Sequence, residues 1–220
     1  MHTSNNGFIS TLTKADQISL LKGAKLIALN AGEILSTPEQ FASHIYFPTS
    51  GSIALYIGIH GTSTPAHGLA VGLIGAEGAA GLELALGFGR TPFQFIVQSS
   101  GHAYAVEAFT AQKLLQRRPK VLLKFSQQLW KVYEGIAKFT AKAFTKDIKI
   151  RLAHWLILSA SRCAPDPLRI THLQIAKMLG VRRSSISIAA REIKLKRYIS
   201  YTRGHISITN AEALEILSNN

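Results

Sequence analysis

The sequence predicts an α+β fold made of an N-terminal antiparallel β-domain, one long helix and a helical C-terminal domain that ends in a β-hairpin. Three observations support this fold. Short apolar runs separated by Gly, Pro, Ser and Thr fill residues 26–109, a proline-free stretch with helical spacing fills residues 121–144, and residues 169–209 combine two helical patterns with a hairpin pattern. The 220 residues are 47% hydrophobic, which is enough for packed cores and argues against disorder.

The runs in the first half have the length and spacing of strands in an antiparallel sandwich, barrel or roll. Examples are "KLIAL", "HIYFP", "SIALYIGI" and "HAYAVEAF". Residues 1–25 before them have a helical pattern. The long apolar stretch Gly68–Gly89 contains Glu77, Glu83 and seven glycines, and its carboxylates would be costly in a bilayer. We therefore expect glycine-punctuated strands there rather than a membrane span.

Cysteine usage and charge narrow the possible functions. The single cysteine, Cys163, excludes a disulfide framework, a four-thiolate iron–sulfur cluster within one chain and a zinc ribbon, and it fits a reducing cytoplasm. No signal-peptide pattern is visible. Residues 1–109 carry four basic and six acidic side chains, whereas residues 110–220 carry 21 basic and six acidic ones. Positive charge concentrated in one half predicts that this half contacts a polyanion.

The helix predicted over Val121–Phe144 has an apolar stripe, with lysines on its other faces. A lone helix of this length is not stable by itself. Its stripe must therefore pack against its own domain or against the same helix of a second subunit. The second alternative gives the candidate dimerisation residues, which are Leu122, Phe125, Leu129, Val132, Ile136 and Phe139.

Domain boundaries follow from these patterns. We expect a short helix that stops near Pro119, a new helix that begins near Asp147, and a break at the two prolines of "CAPDPL". The predicted division is a β-domain over 1–120, a long helix over 121–146 and a C-terminal domain over 147–220.

Residues 169–209 have the spacing of a helix–turn–helix followed by a hairpin. Thr171 can cap a first helix, Gly180 can end it because glycine tolerates a left-handed backbone, and a second helix begins at Arg183. The inward face of this second helix carries Ile186, Ala190 and Ile193. The following "LKRYISYTRGHISIT" alternates and turns like a β-hairpin, which would form a wing.

The outward face of the second helix is polar at its amino end. Such positions in a helix–turn–helix reach base edges in the major groove. There an arginine can donate two hydrogen bonds to guanine, and an isoleucine can contact a thymine methyl group. Lys194, Lys196 and Arg197 would neutralise phosphates. Together with the helix cap and the wing tip, the candidate DNA-contacting residues are Thr171, Arg182, Arg183, Ser184, Ser185, Ser187, Ile188, Arg191, Arg203 and His205.

The stretch Ile170–Thr209, with "LGVRRSSIS" at its turn, resembles the winged helix–turn–helix of the Crp–Fnr superfamily of bacterial transcription regulators. The whole chain follows the order of that superfamily: a β-roll like a cyclic-nucleotide-binding domain, a long dimerisation helix and a DNA-binding domain. The resemblance implies a homodimeric, sequence-specific regulator without enzymatic activity. Such a protein would bind an inverted repeat in double-stranded DNA, act with RNA polymerase in the cytoplasm and have no contact with membranes.

The resemblance also assigns roles to residues of the turn and the second helix. Arg183, Ser184 and Ile188 occupy the three main base-reading positions, and Thr171 matches a position that binds phosphate. Cyclic-AMP-type members carry arginine, glutamate and arginine at those three positions, and only the arginine is kept in this sequence. The DNA site is therefore expected to differ from the one that those members read.

The match is weaker in the candidate effector pocket, which comprises Gly81, Leu82, Glu83, Arg90 and Thr91. Members that bind cyclic nucleotides carry Phe-Gly-Glu, whose glutamate binds the ribose, and about ten residues later Arg-Ser/Thr-Ala, which binds the phosphate. In "GLELALGFGRTPF" the Arg-Thr pair matches, but a leucine stands in place of the ribose-binding glutamate and a proline replaces the alanine. A leucine cannot accept hydrogen bonds from ribose, so we do not expect cyclic AMP or cyclic GMP. An unidentified effector would act by reorienting the two DNA-binding domains through the long helix.

Two other functions stay open at this level. One is a small-molecule-binding β-barrel or an enzyme with a basic tail, although no Ser–His–Asp or metal-ligand spacing stands out and no metal is expected. The other is a non-specific nucleic-acid-binding module, which would bind random and selected DNA equally.

Overall fold

The computed structural model describes residues 5–38, 40–58, 68–162, 168–202 and 204–219. The proline-containing break after the fifth helix, Cys163 and Arg203 lie outside these residues. The chain divides into two compact units, one formed by residues 1–56 and 72–136 and the other by residues 57–71 and 137–220. This division falls inside the long helix, and the three-part division expected from the sequence stays a prediction.

Two short helices, α1 (Gly7–Ser10) and α2 (Lys14–Leu20), precede the β-domain, as the helical pattern predicts. Asn6 caps α1 by accepting a hydrogen bond from its first turn. The Asn6 side chain is fully buried, and its amide donates to the carbonyl oxygens of Pro48 and Gly78 at 2.8 Å each. This buried amide therefore ties α1 to the β-domain at two separate points.

Five strands are described in the β-domain: β1 (Lys25–Leu29), β2 (Ile34–Ser36), β3 (His44–Gly58), β4 (Gly68–Ile74) and β5 (Gln94–Glu107). They form one sheet in the order β1-β5-β3-β4, and β2 also pairs with β5. Strand β5 pairs antiparallel with β1, β2 and β3. The antiparallel β-domain predicted from the short apolar runs is therefore present.

The two longest strands each join two runs that are separate in the sequence pattern. "HIYFP" and the "SIALYIG" part of the next run both lie in β3, and "HAYAVE" continues "QFIVQ" in β5. The register between β3 and β5 shifts between Pro48 and Ile53, so the intervening Ser and Gly residues form bulges rather than turns. A Cβ atom on Gly101 would lie 2.3 Å from the carbonyl oxygen of Ser50. Only glycine allows the two backbones to approach this closely.

The region after β4 differs from the prediction of continued strands. Leu82–Leu86 forms a 3₁₀ helix, and Gly81 and Gly87 adopt left-handed backbone conformations at its two ends. Leu82 and Leu84 from this helix are buried in the core of the N-terminal unit. The expectation of strands throughout Gly68–Gly89 is therefore wrong at Leu82–Leu86, where a helical turn that includes Glu83 replaces the strand.

Helices α3 (Ala108–Arg117) and α4 (Pro119–Thr145) follow the sheet. Pro119 is the first residue of α4, a position where the missing N–H group is not needed and the fixed φ angle fits the helix. The predicted short helix and the predicted long helix are both present, and the proline separates them.

Helix α4 contributes to the core of the N-terminal unit. The Phe125 ring lies edge-on to Phe8, with centroids 5.0 Å apart, and 6.5 Å from Phe47. Leu129, one turn further along, packs against the same core. Of the two alternatives left open by the apolar stripe, packing against its own domain is therefore the one observed for this part of α4.

The C-terminal unit contains α5 (Ile148–Arg162), β6 (Leu168–Arg169), α6 (His172–Leu179), α7 (Arg183–Leu195), β7 (Ile199–Thr202), β8 (His205–Ile208) and α8 (Ala211–Asn219). The strands form an antiparallel sheet in the order β6-β8-β7. The predicted helix restart, helix–turn–helix and hairpin are confirmed. Strand β6 and helix α8 are additions that the sequence pattern did not predict.

A lysine at the end of α4 links α5 and α8 inside the C-terminal unit. The Lys142 ammonium donates to the carbonyl oxygen of Ser218 at 2.7 Å and lies 3.2 Å from Nδ1 of His154. Burial, together with the positive charges of Lys142 and Arg162, lowers the pKa of His154 to about 4. The His154 ring is therefore neutral at neutral pH and accepts the hydrogen bond from the lysine.

Candidate DNA interface

The turn between α6 and α7 is held by local hydrogen bonds. Thr171 and Gln174 form a capping box, in which the Thr171 hydroxyl accepts from the Gln174 N–H at 3.2 Å and the Gln174 side chain accepts from the Thr171 N–H at 2.8 Å. Gly180 ends α6 in the left-handed conformation, with φ of 63°. The Arg151 guanidinium of α5 donates to the carbonyl oxygen of Leu179. These contacts fix where α7 begins.

Helix α7 has one buried apolar face and one exposed polar face. Ile186, Ala189, Ala190 and Ile193 are buried. The opposite face exposes Arg182, Arg183, Ser184, Ile188 and Arg191. The Ile188 side chain is 62% exposed between polar neighbours, which suits contact with a partner rather than packing within the chain.

The amino end of α7 has no capping side chain. Arg182 occupies the N-cap position, and its side chain accepts no hydrogen bond from the first turn. Within this turn the Ser185 N–H donates to the Arg182 carbonyl oxygen at 3.1 Å. The positive end of the helix dipole would stabilise a DNA phosphate at this place.

Two of the predicted contact residues are already engaged within the protein. The Ser187 hydroxyl donates to the carbonyl oxygen of Arg183 at 3.1 Å and lies 3.2 Å from Nδ1 of His172. The Thr171 hydroxyl is used in the capping box and also donates to the Gln174 side-chain oxygen at 2.8 Å. The structure therefore gives both hydroxyls roles in positioning the backbone, and their DNA contacts stay predictions, as does the contact of half-buried Ser185.

The hairpin lies beside α7. The Tyr201 ring of β7 is 5.0 Å from the His172 ring and 4.5 Å from the Lys194 ammonium, measured to its centroid. Lys194 therefore packs on the wing, and its predicted phosphate contact stays a prediction. His205 is exposed at the start of β8, whereas Arg203 lies outside the described residues. The sequence contained no signal for the contact between His172 and Tyr201.

Arg197 connects α7 to the wing with an unusual backbone conformation. Its φ angle of 58° is the only positive value among the described non-glycine residues. Its carbonyl oxygen accepts a hydrogen bond from the Thr209 hydroxyl at 2.7 Å, which holds the connection. Lys196 and Arg197 are both exposed, so two cations flank the end of the helix.

The two residues of the phosphate-binding pair expected in the β-domain lie in different surroundings, and their role in binding an effector stays a prediction. Arg90 is exposed, and its guanidinium carbon lies 4.7 Å from the centroid of the Phe41 ring. Thr91 is buried, and its hydroxyl accepts a hydrogen bond from the Phe93 N–H at 3.2 Å. The two side chains are therefore committed to different surroundings, one at the surface and one in the core.

The space beside Gly81, Leu82 and Glu83 is also too small for a nucleotide. Its volume is about 20 Å³, which is the size needed for one water molecule. Leu82 is 2% exposed and belongs to the core, and Leu129 of α4 closes the same space. One carboxylate oxygen of Glu83 is buried without a hydrogen-bond partner. A cyclic nucleotide does not fit these residues.

Two of the six dimerisation residues expected from the apolar stripe are buried within their own chain. Phe125 is buried in the N-terminal unit, and Phe139 is buried against Trp155 in the C-terminal unit. Assigning these two residues to a subunit contact is wrong, because a side chain buried within its own chain cannot reach a partner. The exposed Leu122 and the half-buried Leu129, Val132 and Ile136 stay untested as dimerisation residues.

A different face of α4 is apolar and exposed. Leu123, Trp130 and Phe144 are separated by multiples of seven residues, and Trp130 is 65% exposed. Tyr133 is exposed beside Trp130, with ring centroids 5.5 Å apart. A seven-residue apolar spacing is the pattern by which two helices pack along each other.

Two other kinds of site lack support in the part of the chain that the structure describes. No three His, Cys, Asp or Glu side chains come together there as metal ligands, and His60 and His67 lie outside that part. None of the described helices combines the length and the apolarity needed to cross a bilayer.

Residues 150–217 match the family of Crp-like helix-turn-helix domains. Solved structures of similar fold include a protein from Eubacterium rectale assigned to the transcriptional regulators of the Crp/Fnr family, with a TM-score of 0.75, 15% identity, and coverage of 99% of this chain and 100% of that chain. FixK2 from Bradyrhizobium japonicum has a TM-score of 0.74 and 14% identity, and covers 88% of this chain and 96% of its own.

A transcriptional regulator of the Crp/Fnr family from Thermus thermophilus has a TM-score of 0.66 and 18% identity over 89% of this chain and 99% of that chain. No curated protein matches the sequence. The likeness in fold extends over both units, and the sequence match covers the helix–turn–helix. Residues 150–217 are therefore a Crp-like helix-turn-helix domain, and the chain has the Crp/Fnr fold that its sequence resemblance predicted.

Proposed function

We propose that this protein is a homodimeric, sequence-specific DNA-binding transcription regulator. The observation that carries the proposal is the exposed polar face at the amino end of α7, directly after the turn of a Crp-like helix-turn-helix. Arg183, Ser184 and Ile188 share this face. A guanidinium can read guanine and an isoleucine can contact a thymine methyl group in the major groove. The three side chains therefore supply both polar and apolar contacts to bases.

Cations around this face would position the helix on DNA without reading sequence. Arg182 lies at the uncapped start of α7, and Lys196 and Arg197 lie just after its end. Exposed Arg and Lys side chains at both ends of a recognition helix suit contacts with phosphates on either side of the groove. Affinity for any DNA duplex would come mainly from these groups, and selectivity from the residues between them.

We further propose that two subunits pair along the exposed face of α4 that carries Leu123, Trp130, Tyr133 and Phe144. Large exposed apolar side chains at seven-residue spacing favour a parallel helix pair. A two-fold dimer would place two α7 helices one turn of DNA apart, about 34 Å, and so read an inverted repeat. RNA polymerase is the expected further partner of a transcription regulator and stays a prediction.

Selection of bound sequences from random DNA tests base reading. The wild type is expected to select an inverted repeat. Arg183→Ala is expected to lose preference at one base pair in each half-site and to bind the selected duplex at least about tenfold more weakly, since a bidentate arginine–guanine contact is lost. Arg117→Ala removes the same charge from an exposed position of α3 and serves as the control. Equal affinity of the wild type for selected and random duplexes would instead show a non-specific module.

Light scattering during size exclusion tests the α4 face. Trp130→Glu places a charge in the proposed subunit contact, so we expect monomers that no longer bind the inverted repeat. Ile18→Glu makes the same kind of change at an exposed apolar residue of α2 and should leave the dimer intact. A Trp130→Glu protein that remains dimeric would contradict this contact surface.

Two observations argue against the alternative of an enzyme or small-molecule-binding β-barrel with a basic tail. The fold is that of transcriptional regulators, and the basic segment is a folded helix-turn-helix rather than a tail. The β-domain also offers no nucleotide-sized pocket beside Leu82. Control by an effector therefore stays an open expectation, and DNA binding is the activity to test first.

A further inference from the structure

We propose that His172 is a positioning residue of the DNA interface, which fixes Ser187 on α7 and Tyr201 on β7 and thereby holds the recognition helix and the wing in register. We call these three residues the His172 cluster. The inference rests on the proposed function and assigns a role to a residue that the sequence motif did not identify. His172 is the first residue of α6, so the cluster joins three elements of the C-terminal unit.

The hydrogen bond between His172 and Ser187 has a defined direction. The Ser187 hydroxyl has one proton, which it donates to the carbonyl oxygen of Arg183 at 3.1 Å. The contact of 3.2 Å between Ser187 Oγ and His172 Nδ1 then requires the proton to lie on Nδ1. His172 therefore donates to Ser187, and this pair of bonds fixes the turn of α7 that contains Arg183.

The other side of the cluster is an aromatic contact. The His172 and Tyr201 rings meet edge to face, with an interplanar angle of 66° and centroids 5.0 Å apart. Lys194 of α7 lies over the Tyr201 ring, so Tyr201 is held between α6 and α7. Because Tyr201 pairs with Ile206 across the hairpin, the orientation of this ring also orients the wing.

The surroundings keep the His172 ring neutral in the free protein. Burial and then the positive charge of Arg183 lower the pKa of His172. Among the residues that the structure describes, Arg183 and, across the Tyr201 ring, Lys194 are the charged side chains that these contacts place near the ring, and both belong to α7. A neutral imidazole avoids repelling the Arg183 guanidinium from the groove, which a second cation beside it would do.

The cluster also lies where DNA would approach. A cleft of about 550 Å³ separates the amino ends of α6 and α7 from the wing, and its walls include His172, Arg183, Tyr201 and Gly204. Any change in the His172 contacts would alter the relative placement of the two walls that carry Arg183 and the hairpin. Loss of the cluster should therefore affect reading of sequence more than attraction to phosphates.

A double-mutant cycle tests the proposal. His172→Phe keeps a ring against Tyr201 but removes the donor, and Ser187→Ala removes the acceptor. Each protein is titrated with the selected inverted repeat and with a scrambled duplex, using fluorescence anisotropy. We expect each single variant to bind the selected duplex about 3- to 10-fold more weakly and the scrambled duplex with wild-type affinity. Ser187→Ala removes the bond with His172 and also the bond to Arg183. The double variant should therefore lose no more than Ser187→Ala alone, because the bond that His172→Phe removes is already absent there.

Two further variants guard the interpretation. Ser161→Ala removes a serine of α5 that makes the same kind of backbone hydrogen bond, to Leu158 at 2.9 Å, and should have wild-type affinity for both duplexes. If His172→Phe fails to fold, His172→Leu also removes the donor, and its cycle with Ser187→Ala decides the coupling instead. His172→Asn keeps a donor near the position of Nδ1 and should bind the selected duplex with close to wild-type affinity.

Three outcomes are decisive. Losses that add in the double variant, or equal losses for selected and scrambled duplexes, would overturn the positioning role while the wild type still selects its site. A wild type without any selected site would overturn the proposed function and this inference with it. Coupled losses confined to the selected duplex would support the role of His172.

Discussion

The two units differ in where they keep the residues that the sequence identifies as functional. In the C-terminal unit, Arg183 and Ile188 lie exposed on one helix face. In the N-terminal unit, Leu82 and Thr91 are buried in the core, and Arg90 is stacked on a surface phenylalanine. The same chain thus presents one set of motif residues to solvent and disperses the other.

This contrast shows that matching residues at matching spacing do not by themselves make a site. The helix–turn–helix needs only a helix with one exposed face, which local capping and packing provide. A nucleotide pocket needs a cavity as well as its polar groups, and the apolar Leu82 occupies the place where the pocket would need a carboxylate. The exposure of the α7 side chains supports a site in the C-terminal unit, and the small cavity volume beside Leu82 argues against one in the N-terminal unit. Each of these two conclusions can be tested separately.

The largest expected effect tests whether charge makes the C-terminal unit the polyanion-binding region. A protein that contacts about six phosphates should lose about a thousandfold in DNA affinity between 50 and 200 mM salt. The slope of log affinity against log salt concentration is negative, and Arg182→Ala should make it shallower by about one for each subunit. Anisotropy titrations at several salt concentrations measure both. An affinity for DNA that barely changes with salt would contradict the proposal that the basic C-terminal unit binds DNA phosphates.

A second prediction concerns the stability of the C-terminal unit at low pH. The pKa of His154 is lowered to about 4 in the folded protein, whereas an unfolded chain has a histidine pKa near its ordinary value of about 6.5. Between these two pKa values the unfolded state binds a proton at His154 and the folded state does not. The free energy of unfolding therefore falls as the pH falls. Between pH 7.5 and pH 5 this histidine should lower the free energy of unfolding by about 1 kcal/mol, roughly half of what the full pKa difference gives, because water still reaches part of the ring.

Urea unfolding followed by the fluorescence of Trp155, which is fully buried in the same unit, measures this loss. His154→Gln has no titrating group and should show a smaller difference between the two pH values. Equal pH dependence in the variant and the wild type would show that His154 accepts a proton without loss of packing, contrary to its neutral contact with Lys142.

The smallest expected effect concerns the N-terminal unit and its response to cyclic nucleotides. Cyclic AMP or cyclic GMP at millimolar concentration should change the affinity for the selected duplex by less than about twofold, because a ligand shifts an equilibrium only through differential binding. Isothermal titration should likewise detect no binding heat. A clear response to either nucleotide would mean that the β-domain opens a pocket beside Leu82, and the two units would then resemble each other as ligand-binding regions.

Local patterns predicted the C-terminal unit well. Thr171 and Gly180 fix the ends of α6 through neighbours within five residues, so capping preferences are enough to locate them. The predicted start of α7 at Arg183 and its buried Ile186 are likewise confirmed. Elements whose identity depends on such short-range contacts can be derived from sequence alone.

Contacts between distant segments were predicted less well. The helical spacing of Phe125 predicted a buried stripe on α4, but spacing does not say whether the same chain or a second subunit covers it. The short apolar segment at Leu82 has no period that separates a strand from a 3₁₀ turn. Contacts of His172 with Ser187 and Tyr201 depend on the packing of three elements, which no local pattern encodes.

The left-handed backbone at Arg197 has a consequence for any attempt to make this protein more stable to heat. A side chain with a Cβ atom in that conformation costs about 1 kcal/mol or more relative to glycine, so Arg197→Gly should raise the thermal midpoint. The same change deletes a cation at the junction of α7 and the wing. Screening for thermal stability alone would therefore favour variants with lower affinity for DNA, and the two properties must be selected together.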